Sequence, residues 1–148
     1  MVDAQAQLDG FLDKYAPATA ALARALLARM EKRLPGATML VYDNYNALVI
    51  GFGASEKPTR AILSLAVYPR WVTLFFLTGV DLPDPHRLLQ GSGSQVRSVR
   101  LPSVATLDDP RVNDLIAEAV ARSDPPLDPR AEPRLIIRSV SAKQRPRR

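Results

Sequence analysis

Cysteine is absent from this chain of 148 residues, and histidine and tryptophan occur once each, as His86 and Trp71. Without cysteine the chain can form no disulfide, no thiolate nucleophile and no Cys-ligated zinc or iron–sulfur site. One histidine excludes a multi-His metal site but still permits a single general base. Its setting, Asp84-Pro85-His86-Arg87, is typical of an exposed turn. The sequence therefore favours a protein that is not an enzyme.

Long hydrophobic runs are also absent. The most apolar stretch, residues 71–77, has the length of a strand and falls far short of the roughly 18 residues that a membrane helix needs. The first residues lack a basic start, and Asp9 and Asp13 interrupt any apolar segment that would act as a secretory signal. We therefore expect a cytoplasmic protein.

Hydrophobic periodicity predicts helices over residues 3–15 and 19–34, a helical turn over 83–89, and a third helix that begins after Asp109-Pro110. Strands are predicted at residues 39–43, 47–52, 61–68, 71–77, 96–101 and 134–140, with tight turns at Asp43–Asn46 and Pro69-Arg70. Strands joined this closely pair antiparallel. The prediction is a single α+β domain over residues 1–148, with a compact, mainly antiparallel sheet of about five to six strands. Two N-terminal helices and one C-terminal helix pack with that sheet, and residues 123–133 form a Pro-rich tether.

The strand over residues 71–77 is apolar on both of its faces, since Trp71, Thr73 and Phe75 alternate with Val72, Leu74 and Phe76. Such a strand is typically central and covered on both sides. The predicted helices cover one side. The other side is left open to a helix, a partner subunit or a small apolar ligand.

Aromatic residues cluster around the two predicted hairpins, where they form either the rim of the core or the mouth of a small-molecule pocket. Arg97 and Arg100 lie on opposite faces of the strand over residues 96–101. The candidate residues for a pocket that takes a small anionic ligand are Tyr42, Tyr45, Trp71, Arg97 and Arg100.

The excess of basic over acidic residues lies at the end of the chain. Residues 130–148 hold seven basic side chains and one acidic one, a net charge of +6, whereas the whole chain carries +5, so the remainder carries −1. A solvated basic tail over residues 139–148 is the favoured interpretation. The alternative is a patch that binds nucleic acid or another polyanion, although the tail has no aromatic residue on which bases could stack. The anion-binding candidates are Arg134, Arg138, Lys143, Arg145, Arg147 and Arg148.

Two other motifs favour plain structure over chemistry. The loop Gly91-Ser92-Gly93-Ser94 lacks the Gly-Lys-Ser/Thr end of a phosphate-binding loop and is predicted to be a flexible turn. The carboxylates are scattered, and Asp109 is accounted for as a helix cap. The residues by themselves therefore predict neither a metal ligand nor a cofactor.

Several segments together resemble the YdhG-like family, a bacterial domain of unknown function. They are residues 40–46 (Leu-Val-Tyr-Asp-Asn-Tyr-Asn), 61–69 (Ala-Ile-Leu-Ser-Leu-Ala-Val-Tyr-Pro), 72–76 (Val-Thr-Leu-Phe-Phe), 88–93 (Leu-Leu-Gln-Gly-Ser-Gly), 96–97 (Val-Arg) and the ending 136–148. The resemblance covers roughly residues 20–122 and implies a compact fold with an antiparallel sheet. Some members are described as frataxin-like iron chaperones, so the resemblance also implies iron binding. This chain shows no acidic ridge to receive the metal.

We therefore expect a non-catalytic binding or assembly module that forms a homo-oligomer through an apolar sheet surface. Iron homeostasis and polyanion or nucleic-acid binding through the basic tail are the alternatives.

Overall fold

The computed structural model describes residues 2–148. The helices are α1 (Ala4–Leu12), α2 (Pro17–Arg33), α3 (Val104–Asp108) and α4 (Pro110–Ala121), with short 3-10 helices at Pro58–Arg60 and Gly79–Asp81. The strands are β1 (Thr38–Asp43), β2 (Leu48–Gly53), β3 (Ala61–Val67), β4 (Val72–Phe76), β5 (Arg97–Arg100) and β6 (Arg134–Val140). Within residues 2–148, no helix combines the length and the hydropathy that crossing a membrane requires.

The six strands form one sheet in the order β5-β4-β3-β2-β1-β6. All neighbours pair antiparallel except β6, which runs parallel to β1. The predicted α+β class, the mainly antiparallel sheet and the edge position of the last strand are confirmed. Alternation of direction places the β1–β2 turn, the β3–β4 turn and the carboxyl end of β6 at one end of the sheet, which we call the turn end.

The helices pack on one face of the sheet, because their buried residues form a single core with alternate residues along the strands, which we call residues of one parity. That core includes Leu26 and Met30 of α2, Leu115 of α4, Ile50 of β2 and Leu74 of β4. Side chains of the other parity point to the opposite face, which we call the far face. Leu40 and Ala66 on the far face are buried but lie outside the core. The domain therefore has two layers, helices over sheet.

The prediction that the 71–77 strand is interior and covered on both sides is correct in its pairing, since β4 lies between β3 and β5, but its cover on the far face is incomplete. β4 is second from the edge, and on the far face Trp71 is 37% exposed and Phe75 is partly exposed. The sequence of the strand is apolar on both sides. The side chains next to it on the far face are small or polar, however, since Phe75 pairs with Ser64 and Ser98. No helix of residues 2–148 covers this side of β4.

The predicted helical turn over residues 83–89 is also wrong. Asp84 closes this segment as a loop, since its carboxylate accepts hydrogen bonds from the backbone N–H groups of Leu88 and Leu89 at 2.9 Å each. Arg87 adopts a positive φ of 54°, which a helix does not allow. Asp and Ser side chains favour such local bonds over helix, and periodicity does not reveal them.

Candidate functional site

A cleft of about 690 Å³ lies at the turn end of the sheet. Its walls come from three segments: Asn46 of the β1–β2 turn, residues 68–71 of the β3–β4 turn, and Arg145 with Pro146 of the C-terminal segment 141–148. Segments far apart in the chain meet here because β1–β2, β3–β4 and β6 all end on this side. We call this site the turn cleft.

The β3–β4 turn supplies an aromatic wall. The hydrogen bond from Tyr68 N–H to the Trp71 carbonyl, at 2.9 Å, closes a hairpin with Pro69 and Arg70 at its tip. Tyr68 and Trp71 are therefore cross-strand partners, and their rings stack with centroids 5.1 Å apart. The guanidinium of Arg100 lies 4.8 Å from the Trp71 ring centroid. Arg100 reaches it because β5 pairs with β4 and places Arg100 on the far face beside Thr73.

A second aromatic ring borders the opposite wall. Tyr45, at the tip of the β1–β2 turn, is 43% exposed, and the Arg145 guanidinium lies 5.5 Å from its ring centroid. The backbone N–H of Arg145 donates to the Tyr45 carbonyl at 2.9 Å, which fixes the C-terminal segment against this turn. Arg145 thus lies between the Tyr45 ring and the cleft.

The C-terminal segment is held by a buried carboxylate at the end of β1. Asp43 is fully buried, and its two oxygens pair with Arg147 Nη2 at 2.8 Å and Lys14 Nζ at 2.6 Å. Arg147 is itself 4% exposed, and it also donates to the carbonyls of Asn44 and Tyr45. The predicted solvated tail is therefore wrong at Arg147, although Lys143, Arg145 and Arg148 are exposed. A buried carboxylate needs a compensating positive charge, and one of the two cations that supply it here is in the tail.

Tyr15 stabilises this arrangement through the hydrogen bonds of its hydroxyl. Its buried hydroxyl donates to the Val67 carbonyl at 2.6 Å and accepts from the Leu48 N–H at 3.1 Å, so it joins β2 to β3 next to their turns. Burial raises the pKa of the Tyr15 hydroxyl above its ordinary value. The Arg147 guanidinium lies 5.8 Å from the Tyr15 ring centroid. The ends of β2 and β3 next to the two turns are thus bonded to each other through Tyr15.

The ionisation of Asp43 reflects two opposing effects. Burial by itself would raise the pKa of this carboxyl, but hydrogen bonds from Lys14, Gln144 and Arg147 outweigh burial and hold the pKa below its ordinary value. A carboxyl with a lowered pKa in the folded state stabilises the fold at neutral pH. That stability is lost when the pH falls below the ordinary pKa and through the folded one.

We expect the contribution of Asp43 to disappear in acid. The free energy of unfolding of wild type should exceed that of Asp43→Asn by a constant amount above about pH 6, and the difference should shrink below about pH 4, by at most about 1.4 kcal/mol per pH unit. Urea titrations of both proteins from pH 7 to pH 2 measure it. Subtracting the two free energies cancels the contribution of other acidic groups, such as Asp109. The pKa of Asp109 is lowered to about 2 by its hydrogen bonds with Arg111. A difference that stays constant to pH 2 contradicts the expectation.

Three arginines around the turn cleft carry unbalanced charge. Among residues 2–148, no carboxylate lies within salt-bridge distance of Arg70, Arg100 or Arg145. All three are exposed. The only acidic side chain of the neighbouring β1–β2 turn, Asp43, is already neutralised by two cations. The cleft therefore presents a net positive surface next to aromatic rings.

The other predicted pocket residues lie elsewhere. Tyr42 is half-buried on the far face, and the Arg97 guanidinium donates to the carbonyls of Gly93 and Val96, at 2.6 and 2.8 Å. Of the predicted pocket, the structure brings together Trp71 and Arg100, with Tyr45 joined to them through Arg145.

The predicted anion-binding residues divide into two groups. Arg147 is buried with Asp43, and Arg134 pairs with Glu56. Arg138, Lys143, Arg145 and Arg148 are exposed, and of these Arg145 lines the turn cleft. Arg70 was not among the predicted site residues, although its place at the tip of a predicted two-residue turn between Tyr68 and Trp71 was a usable signal.

His86 is exposed, as predicted, and lies in a separate groove against α4. Within residues 2–148, no three His, Cys, Asp or Glu side chains are grouped so that they could hold a metal ion.

Comparisons of this chain with protein-family models, with curated proteins and with solved structures found no significant match.

Proposed function

We propose that this protein is a non-catalytic binding module that takes a phosphate-bearing anion at the turn cleft. One observation carries the proposal: Arg70, Arg100 and Arg145 have no carboxylate partner among residues 2–148. Arg70 lines the cleft, and Arg100 and Arg145 lie against the exposed rings of Trp71 and Tyr45. Guanidinium groups bind phosphate through paired N–H donors and keep their charge at any physiological pH.

Charge and shape both support an anion at this site. The cleft is concave, with a volume of about 690 Å³, within the range of small-molecule sites. Arg100 and Arg145 already lie against aromatic faces, which orients their guanidinium groups before a ligand arrives. Such ordering lowers the entropy that binding would otherwise cost.

Titration with inorganic tripolyphosphate at low salt tests the proposal, with Trp71 fluorescence as the signal because it is the only tryptophan in the chain. We expect a saturable change that weakens at least tenfold in the double variant Arg70→Gln/Arg145→Gln, since each charged hydrogen bond contributes about 1.5–3 kcal/mol. The matched control, Lys32→Gln/Lys57→Gln, removes the same charge from exposed sites away from the cleft.

The control should bind like wild type. Equal weakening in both double variants would place binding outside the cleft. Absence of any saturable signal in wild type at low salt would remove anion binding altogether.

Homo-oligomerisation, iron binding and a cytoplasmic location remain further proposals. Homo-oligomerisation would use the far face, where Trp71 and Phe75 are partly exposed, and light scattering that gives 16.2 kDa at all concentrations would contradict it. Iron binding and a cytoplasmic location rest on the YdhG-like resemblance and on the composition. No cluster of metal-ligating side chains within residues 2–148 favours iron.

A further inference from the structure

The two edges of the sheet differ in how they are closed. At one edge, Gln90 lies beside β5: its N–H donates to the Ser98 carbonyl at 2.8 Å, and the Ser98 N–H donates to the Gln90 carbonyl at 2.9 Å. At the other edge β6 is the last strand, and no backbone segment of residues 2–148 pairs with its outer side. The sheet therefore ends in an open strand of seven residues.

The register of β6 identifies which backbone groups are free. The Arg134 N–H donates to the Ala37 carbonyl at 3.4 Å, so the backbone of Arg134 faces β1. Successive residues of a strand alternate in direction, and the register with β1 is unbroken from residue 134 to residue 137. Ile136 therefore also faces β1, whereas the N–H and C=O groups of Leu135 and Ile137 point outward. An unpaired edge of this kind is a template for another strand.

The side chains of β6 and of the segment after it indicate which strand would fit. Leu135 and Ile137 pack partly buried against the core, so an added strand would continue the helix-covered face with apolar residues. Residues 134–148 contain no aspartate or glutamate. Arg138 and Lys143 are exposed and make no ion pair within residues 2–148. This edge therefore favours a segment in which apolar and acidic residues alternate.

Acidic side chains of the neighbouring elements do not cancel this positive charge. α1 lies beside β6, and its Asp9 and Asp13 both pair with Arg24 of α2. Asp43 at the end of β1 is already paired with two cations. The carboxylates that would complement Arg138 must therefore come from a partner.

A second copy of the chain fits this edge less well. Antiparallel pairing of β6 with itself about Ile136 would put Arg134 opposite Arg138 of the copy. Pairing about Ile137 would bring the two Arg138 side chains near each other. Like charges at such positions destabilise a sheet.

We propose that the outer edge of β6 docks an extended acidic segment of a partner protein, which adds a seventh strand to the six-stranded sheet. Backbone hydrogen bonds with Leu135 and Ile137 supply affinity, and Arg138 and Lys143 select acidic side chains. This edge is separate from the turn cleft, and the inference goes beyond the proposed function.

Amide hydrogen exchange followed by NMR tests the inference, with an acetylated peptide of five alternating glutamate–valine pairs as the probe. In the free protein we expect fast exchange at Leu135 and Ile137 and slow exchange at Ile136. Saturating peptide should slow exchange at Leu135 and Ile137 at least tenfold. The same peptide with methylated backbone nitrogens keeps its charge but donates no hydrogen bond, so it should protect neither amide.

Charge variants test the selection of acidic side chains. Arg138→Gln/Lys143→Gln should weaken peptide binding about fivefold, since each exposed ion pair contributes little by itself. The matched control, Lys32→Gln/Arg70→Gln, removes the same charge from exposed residues of α2 and of the turn cleft and should bind like wild type. Circular dichroism of both variants shows that a loss of binding does not reflect unfolding.

Three results would overturn the proposal. Slow exchange at Leu135 and Ile137 in the free protein that strengthens with protein concentration would assign the edge to a second copy. Equal weakening in both double variants would place the peptide at the turn cleft or attribute its binding to net charge. A peptide that does not bind at millimolar concentration, or that protects no amide of β6, would remove the docking site. The tripolyphosphate titration is independent of all three, so the proposed function stands or fails separately.

Discussion

Replacement of Arg147 by methionine should lower the free energy of unfolding by about 3 kcal/mol, although the residue is second from the end of the chain. The change leaves the fully buried Asp43 without the partner at 2.8 Å and removes the hydrogen bonds to the Asn44 and Tyr45 carbonyls. Two features keep the loss near the lower limit for a broken buried pair. Lys14 still contacts Asp43, and the Nε of Arg147 is buried without a partner in residues 2–148.

Urea unfolding followed by circular dichroism measures this loss. Arg148→Met is the matched control, because Arg148 is exposed and has no salt-bridge partner among residues 2–148. It should change stability by less than about 0.5 kcal/mol. The double variant Asp43→Asn/Arg147→Met should lose less stability than the sum of the two single variants, since either change alone already removes the Asp43–Arg147 pair. An Arg147→Met protein as stable as Arg148→Met would show that the C-terminal segment does not contribute to the fold.

Alanine should have opposite effects at two glycines. Gly36 adopts a φ of +80°, and a Cβ there would overlap the carbonyl oxygen of Asp128. Gly36→Ala combines a left-handed backbone penalty of about 1–2 kcal/mol with overpacking of about 1–3 kcal/mol, so we expect a loss of about 2–5 kcal/mol. Gly10 lies within α1 with nothing within 4 Å of a Cβ. Gly10→Ala should therefore stabilise the protein by about 0.5–1 kcal/mol.

Thermal and urea unfolding of the two variants measure both the expected loss of stability in Gly36→Ala and the expected gain in Gly10→Ala. Because both variants add one methyl group to the same protein, a general effect of that group cannot account for opposite changes in stability. If Gly36→Ala is as stable as wild type, residues 128–131 are not packed against the end of α2 as the structure has them.

Local patterns were sufficient to predict most of the fold. The apolar spacing of Leu26 and Met30 located α2, and the turn residues Asn44 and Pro69 located both hairpins within a residue or two. The candidate site could be predicted only in part from the sequence. Trp71 and Arg100 were identified as candidates, but their contact depends on the pairing of β4 with β5.

The C-terminal segment shows why the rest could not be predicted. The sequence of residues 141–148 is that of a solvated tail, because nothing local distinguishes Arg147 from Arg145 or Arg148. Their different roles follow from the parallel pairing of β6 with β1, which brings residue 147 to residue 43. A contact across 104 positions leaves no periodic trace in the sequence.

That separation has a consequence during synthesis. Asp43 leaves the ribosome 104 residues before Arg147, an interval of roughly 5–20 s at ordinary rates of translation. Throughout that time the first hairpin has its carboxylate without the arginine that pairs with it in the fold, and β1 has no neighbour on its β6 side. The nascent chain therefore has an open strand edge beside a carboxylate that has Lys14 but still lacks its second cation. The contacts of Asp43 are completed only when residues 141–148 arrive.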